Sequence, residues 1–373
     1  MLELQGQYTS AKIFTVNNTE TDIDQHSIAQ IQAYLDNEVS KDCKIRIMPD
    51  VHAGKGCVIG FTSTVGDAIM PAVIGVDIGC GVTVAKLRPG AKLEPQKLDR
   101  VIRENIPVGA TIHSKTDIDY EPLKELQCPI DIDRANKSLG TLGGGNHFIE
   151  VDKDDDGNLY LAVHSGSRHT GVQVAEYYMN KGQDLFKVYD IHVPPELVTI
   201  NGELKDDYLN DMAIMYSYAH HNRALIIKTI AKEMKWKVDH LFESVHNYID
   251  FSNDDEPIIR KGAISAKEGE SVVIPINMRD GIILGTGKGN PDWNCSAPHG
   301  AGRILSRTEA KENHTVHDFK KSMEGIYSSC INAGTIDECP MVYRDIDDIV
   351  EVIGDTVTID KIIKPSYSFK AKK

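Results

Sequence analysis

The sequence is short of positive charge, of aromatic rings and of any apolar run long enough to cross a bilayer. Its 373 residues hold 41 lysines and arginines against 55 aspartates and glutamates, a formal net charge of −14. Coating of nucleic acid or of an anionic membrane rests on clustered cations, so a broad basic face is excluded while a local basic site is not. No stretch approaches the ~20 apolar residues of a membrane helix, and the start, MLELQGQYTSAKIF, lacks the basic-then-apolar form of a signal peptide, so a cytoplasmic protein is expected. The 7 cysteines (Cys43, Cys57, Cys80, Cys128, Cys295, Cys330, Cys339) are odd in number and include no CxxC pair, which reads as free thiols in a reducing compartment rather than a disulfide frame. Neither Gly–Lys pair completes a Walker A loop, and DKDDDG at Asp152–Gly157 lacks the bidentate glutamate of a calcium loop, having Val163 where it belongs. Strand-like runs on both sides make Asp154–Asn158 a hairpin turn instead. Repeats, low-complexity tracts and long Pro/Gly/Ser linkers are missing too, so one unit over 1–373 is the expected organisation.

What is present is an ordinary globular composition, 41% hydrophobic and 26% charged. Ile28, Ile31 and Leu35 fall at helical spacing, and Asp207–Met234 carries Leu209, Met212, Ala213, Tyr216, Ala219, Ile226, Ile227 and Ile230 on a broad apolar stripe. Glycine-punctuated β-like runs cover Cys57–Thr64, Ala72–Val76, Val82–Leu87, His147–Val151, Leu159–Val163, Ser271–Ile276 and Gly281–Leu284. The expected class is α/β in the broad sense, mixed α+β.

Several of the 14 histidines sit beside glycine or asparagine at the ends of these runs: His52 in MPDVHAGKG, His147 in GGGNHFIE, His164 in VHSGSR, His246 in VHNYID and His299 in SAPHGAGR. Loops after strands are where ligand sites are usually built, and glycine lets the backbone approach a ligand closely. A lone histidine is more often a hydrogen-bonded structural residue, but five in such settings speak together. VIGVDIGCGV at Val73–Val82 adds Asp77 and Cys80 on a glycine-rich turn. A carboxylate, a thiolate and imidazoles suit one or two divalent transition metals, with the thiolate able to bridge, and ligand softness alone favours zinc over manganese. The competing reading, a turn with Cys80 as a small core residue, stays equally open on spacing. His220 and His221, adjacent on a helix, point about 100° apart and cannot grip one metal together.

Taken in order, MPDVHAGKG, GVDIGCG, LGTLGGGNHFIE, HSGSR, HNY, RKGA, GKGN, SAPHGAGR and the near-terminal lysine resemble the RtcB family of RNA ligases, from about Met48 to Lys370. That family joins an RNA 3′-phosphate or 2′,3′-cyclic phosphate to a 5′-hydroxyl, using GTP and manganese, in RNA repair or tRNA splicing. The resemblance implies one large domain with mixed sheets flanked by helices around a central metal cleft. It implies Asp77, Cys80, His147, His164 and His246 as ligands of two Mn²⁺ ions bridged by Cys80, and His299 as the nucleophile that takes GMP from GTP, oriented by Asp50. Asn146 through Glu150 (His147 included), His246, Asn247, Pro275, Asn277, Met278, His299, Gly300, Ala301, Gly302 and Lys370 would hold the guanine nucleotide. Arg168 and Arg303, each beside a glycine-rich loop, suit RNA phosphates, because guanidinium binds oxyanions bidentately. RNA ends and GTP are the partners implied, with no membrane; an activating protein is left open and a monomer is the default.

The sequence departs from the family's Pro-Gly-Ser-Met-Gly, reading Pro275-Ile276-Asn277-Met278-Arg279, and Ile282 replaces a nucleotide-binding serine. His169 stands where glycine is common, and the chain is shorter than most members. A narrower or differently polar pocket, or one given an extra cation by Arg279, is expected. Two alternatives therefore accompany the ligase: a 3′-phosphate capping or repair nucleotidyltransferase with altered nucleotide preference, and a non-catalytic metal- or RNA-binding homologue. Local grip on RNA ends, with weak affinity for bulk RNA, follows from the charge balance.

Overall fold

The computed structural model describes residues 1–16, 23–188, 190–252 and 256–370. A first sheet orders six strands as Leu2–Gln5, Ser10–Ile13, Ile45–His52, Ile59–Thr64, Ile258–Lys261 and Asn247–Asp250. Its one parallel pair, Ser10–Ile13 with Ile45–His52, is bridged by the helix Gln25–Leu35, as a parallel pair requires a crossover. Asp24 caps that helix by accepting from Ser27 N at 2.9 Å. A register shift between Ile47 and His52 breaks the third strand's regular pairing, the kind of bulge that re-aims side chains beside a site.

The second sheet orders seven strands, all antiparallel: Ser271–Asn277, Gly281–Gly287, Val357–Lys370, Phe148–Lys153, Leu159–Ser165, Gly81–Leu87 and Val238–Val245. A two-stranded ribbon, Ala263–Ser265 with Ser296–Pro298, carries the chain towards His299. Alternation along the seven-stranded sheet separates two cores. Ile149, Val151, Leu161 and Val163 face Ile226, Ile227 and Ile230 of the helix Gly202–Met234, while Phe148, Tyr160 and Ala162 face Val273, Ile282 and Leu284 on the other side. That long helix ends at Lys235, whose left-handed backbone (φ 57°) closes the last turn.

The helical and strand readings therefore hold, with one correction. Ala72–Val76 is not a strand: Pro71 opens a single helical turn, Pro71–Val73, and the chain then bends through Gly75. A short buried apolar run looks alike in either state, and proline at the first position decides it. The expected turn at Asp154–Asn158 is present, with Asp154 N donating to Asn158 O and Gly157 N to Asp154 O. All seven cysteines are free. Among the described residues, no helix is long and apolar enough to cross a membrane.

Candidate active site and metal centre

Four strand ends deliver the metal-type donors to one point. Asp77 and Cys80 come from the turn ahead of Gly81–Leu87, His147 immediately precedes Phe148–Lys153, His164 ends Leu159–Ser165, and His246 follows Val238–Val245. Cys80 Sγ lies 3.4 Å from His147 Nε2 and 3.3 Å from His164 Nε2. Asp77 Oδ2 lies 3.1 Å from His147 Nε2, and the Nε2 atoms of His164 and His246 are 3.4 Å apart. Two donor triads result, Asp77–Cys80–His147 and Cys80–His164–His246, and Cys80 belongs to both.

The remaining faces of these side chains are tethered. Nδ1 of His147 donates to Leu142 O at 2.9 Å and Nδ1 of His164 to Asn146 O at 3.3 Å, which leaves each Nε2 lone pair directed inwards. Asp77 Oδ1 accepts from Ser167 N at 2.9 Å. A Cβ on Gly166 would sit 2.2 Å from that same oxygen, so only glycine fits there. Burial and the Asp77 carboxylate push the Cys80 thiol well above its ordinary range. Burial likewise holds His164 and His246 well below theirs, neutral and with lone pairs free. Burial alone would raise Asp77, but His147 and Arg168 keep it ionised. One carboxylate, three imidazoles and a thiol that a bound ion would deprotonate converge in a buried pocket, a donor set that fits a divalent transition metal.

Behind this cluster stands Arg223, fully buried on the long helix. It donates from Nη1 to Gly79 O at 2.8 Å and to Ser165 O at 2.9 Å, and from Nη2 to Glu243 at 2.8 Å. The turn carrying Asp77 and Cys80 is thus tied to the strand end carrying His164.

His299 lies beside the second triad, its ring 4.8 Å from that of His246. Asp50, buried on the bulged strand, approaches His299 Nδ1 with Oδ2 at 2.6 Å and accepts from His299 N at 3.2 Å. A carboxylate there fixes the proton on Nδ1 and leaves Nε2 as the free nucleophilic nitrogen. The approach is possible because Gly302 has positive φ (77°) and no Cβ, which would otherwise lie 2.7 Å from Asp50 O.

From His299 a cavity extends, partly open to solvent and lined by apolar and polar side chains together. Its wall includes Asn146, Phe148, Glu150, His164, His246, Pro275, Asn277, Met278, Gly300, Ala301, Gly302, Arg303 and Lys370. Glu150 is its one carboxylate among the described residues; burial pushes it up to about 7, against the pull of Ser368, whose hydroxyl donates at 2.7 Å, and of Lys370.

A family model described as tRNA-splicing ligase RtcB matches residues 37–131 and 127–371. The chain belongs to the RtcB family. An RNA-splicing ligase RtcB of Escherichia coli (strain K12) is 31% identical over 356 aligned positions, covering 84% of this chain and 87% of its own. A tRNA-splicing ligase RtcB of Methanococcus maripaludis is 27% identical over 411 positions, covering 85% of each, and one of Archaeoglobus fulgidus 28% over 402, covering 82% and 83%.

Within this RtcB chain the five metal-type residues, His299 and Asp50 come together. Three other sequence expectations meet a different setting. Asn247 is off the cavity wall, its amide engaged by Asp77 O (3.1 Å) and Gly262 N (3.1 Å), where it braces the metal turn. Arg168 tucks against Gly143 with Nη1 3.2 Å from His147 Nδ1. Arg279 is paired with its neighbour Asp280 at 2.8 Å and adds no cation to the cavity. Wall residues that sequence reasoning passed over are Arg307 and Tyr343, while His52, one of the five histidines noted beside glycine-rich turns, also lines the wall. Arg223 was also missed, although a polar pair, Asn222–Arg223, inside the apolar stripe between Ala219 and Ile226 was a usable signal.

Proposed function

We propose that this enzyme is an RNA ligase that joins RNA 3′-phosphate or 2′,3′-cyclic phosphate ends to 5′-hydroxyl ends, using GTP and Mn²⁺ and passing through guanylylated His299. The observation that carries the reading is His299, tied at Nδ1 by Asp50, beside the Cys80–His164–His246 triad and on the wall of a cavity that also holds Glu150 and Lys370. The names of the relatives, RNA-splicing and tRNA-splicing ligases, support it.

His299 Nε2 attacks the α-phosphorus of GTP; the P–N bond forms as the bond to the β-phosphate oxygen breaks, and pyrophosphate leaves. Asp50 stabilises the positive charge that develops on the imidazole. An oxygen of the RNA 3′-phosphate then takes the GMP from nitrogen, which converts a poor electrophile into an activated diphosphate. The 5′-hydroxyl oxygen attacks the RNA phosphorus, a phosphodiester forms and GMP departs. Divalent ions held by Asp77, Cys80, His147, His164 and His246 would supply the positive charge that neutralises triphosphate and phosphate oxygens. Glu150 and Lys370 flank the base side of the cavity, and the 1–373 chain would act as one catalytic unit, as a monomer.

Joining of a labelled RNA bearing a 3′-phosphate to a 5′-hydroxyl partner, with GTP and Mn²⁺, tests this. Product is expected only when all components are present. Accumulation of 3′-capped RNA with no joining would select the capping alternative, and no transfer to RNA at all would remove the ligase reading.

A further inference from the structure

Glu338 does not line the cavity, yet side chains that do line it converge on it. Its side chain is only 3% exposed. Oε1 accepts from Arg307 Nη1 at 2.6 Å and lies 3.5 Å from Arg303 Nη1. Oε2 accepts from Lys370 Nζ at 2.8 Å and from the Tyr343 hydroxyl at 2.6 Å. These four donors come from three separate places in the chain, residues 303–307, Tyr343 and Lys370, and each reaches the cavity wall. Burial alone would raise the Glu338 carboxyl, but Lys370 and Arg307 outweigh it and bring it to about 2, so the group is a permanent anion. Asp337 assists, accepting from Arg307 at 2.6 Å through its carboxylate and from Arg303 at 2.7 Å through its backbone oxygen.

The two oxygens divide the work. Oε1 serves the arginines, which also line the broad groove bounded by His52, Ile304, Leu305 and Arg344. Oε2 serves Lys370, which faces the Phe148 ring at 5.8 Å beside Glu150 on the nucleotide side. One carboxylate thus fixes the spacing between the groove cations and the nucleotide-side cation. We propose that Glu338 is a positioning residue of the ligase, holding Arg307, Arg303 and Lys370 in the mutual arrangement that receives the nucleotide and the RNA phosphate together. Long cationic side chains left without this anchor would repel one another in a partly buried wall and lose their common orientation. The inference rests on the proposed ligase reading.

The test is steady-state kinetics of His299 guanylylation and of RNA joining with Glu338→Gln, which keeps size and removes charge, beside Glu338→Asp, which keeps charge. A rise of about tenfold or more in KM for both GTP and 3′-phosphate RNA, with kcat changed much less, is expected for Glu338→Gln, with partial rescue in Glu338→Asp. A purely structural role would lower the amount of active enzyme and leave KM alone, and that result overturns the proposal. So does loss of the folded state in both variants, read by thermal unfolding, or a Glu338→Gln enzyme with unchanged constants. If the wild type itself takes up no GMP, the ligase reading fails and this inference with it; if the wild type is labelled and Glu338→Gln behaves identically, only the inference fails.

Discussion

The metal half and the cation half of the site are built in different ways. Asp77, Cys80, His147, His164 and His246 sit at strand ends and turns, and what orients them is mostly backbone: Leu142 O, Asn146 O, Ser167 N, and the Gly79 and Ser165 carbonyls gathered by Arg223. Arg307, Tyr343 and Lys370 are oriented by side chains, chiefly Glu338 and Asp337, while Arg303 also rests on the backbone oxygens of Leu305 and Asp337. Backbone tethers are fixed by the fold, so the first half should break only when the fold does. Side-chain ion pairs can be retuned one residue at a time, which suits the half that meets the variable parts of a substrate.

That contrast can be broken in graded ways. The largest effect is expected at Arg223, itself fully buried, whose removal strips the half-buried Glu243 of its guanidinium partner, leaves the Gly79 and Ser165 carbonyls without their donor and frees the metal turn. Arg223→Ala should cost about 3–5 kcal/mol in denaturant unfolding, and a loss under about 1 kcal/mol would show that the brace is not what holds this half. Asp50→Asn removes the charge that fixes the His299 tautomer while keeping the shape. The rate of guanylylation should fall about 10²–10³-fold, or roughly 3–4 kcal/mol, with little change in GTP binding; an unaltered rate would make the 2.6 Å contact merely structural. The smallest effect concerns pH. Burial raises the Glu150 carboxyl from 4.5 to about 7. A carboxyl raised on folding contributes stability that is fully present below its unfolded value and is lost as pH rises through its folded value. Wild type should therefore lose up to about 3 kcal/mol relative to Glu150→Gln between about pH 4.5 and about pH 7, seen in unfolding curves at both ends. Parallel stability profiles for the two proteins would contradict the burial argument.

The two halves also differed in how legible they were. The metal ligands and His299 each lie in a short motif with glycine or asparagine beside them, and the chemistry of the donor set is contained in the residue types. Their meeting depends only on strand ends converging, which a mixed sheet provides. The cation wall carries no such mark. Glu338 stands in DECP and Arg307 in LSRT, ordinary sequences whose relevance comes from long-range pairing between residues 303–307, 337–343 and 370. Arg279 illustrates the same limit, since the sequence offers a cation beside the altered Pro275–Arg279 segment but not that Asp280 captures it. Asp152 does too: it reads as the start of an acidic turn, yet it is fully buried, with neither carboxyl oxygen bonded to a protein group. The opening charge balance survives in a sharper form. Part of the acidic excess is spent internally, on Asp77 facing the metal cluster and on Asp337 and Glu338 facing the cations.

The most direct measurement of the central claim is the location of the nucleotide after incubation with Mn²⁺ and GTP labelled at the α-phosphate, read by peptide mapping. GMP is expected on His299, labile to acid and stable to alkali as a P–N bond, and absent from His299→Ala. GMP on any other residue, or equal labelling of His299→Ala, would contradict it.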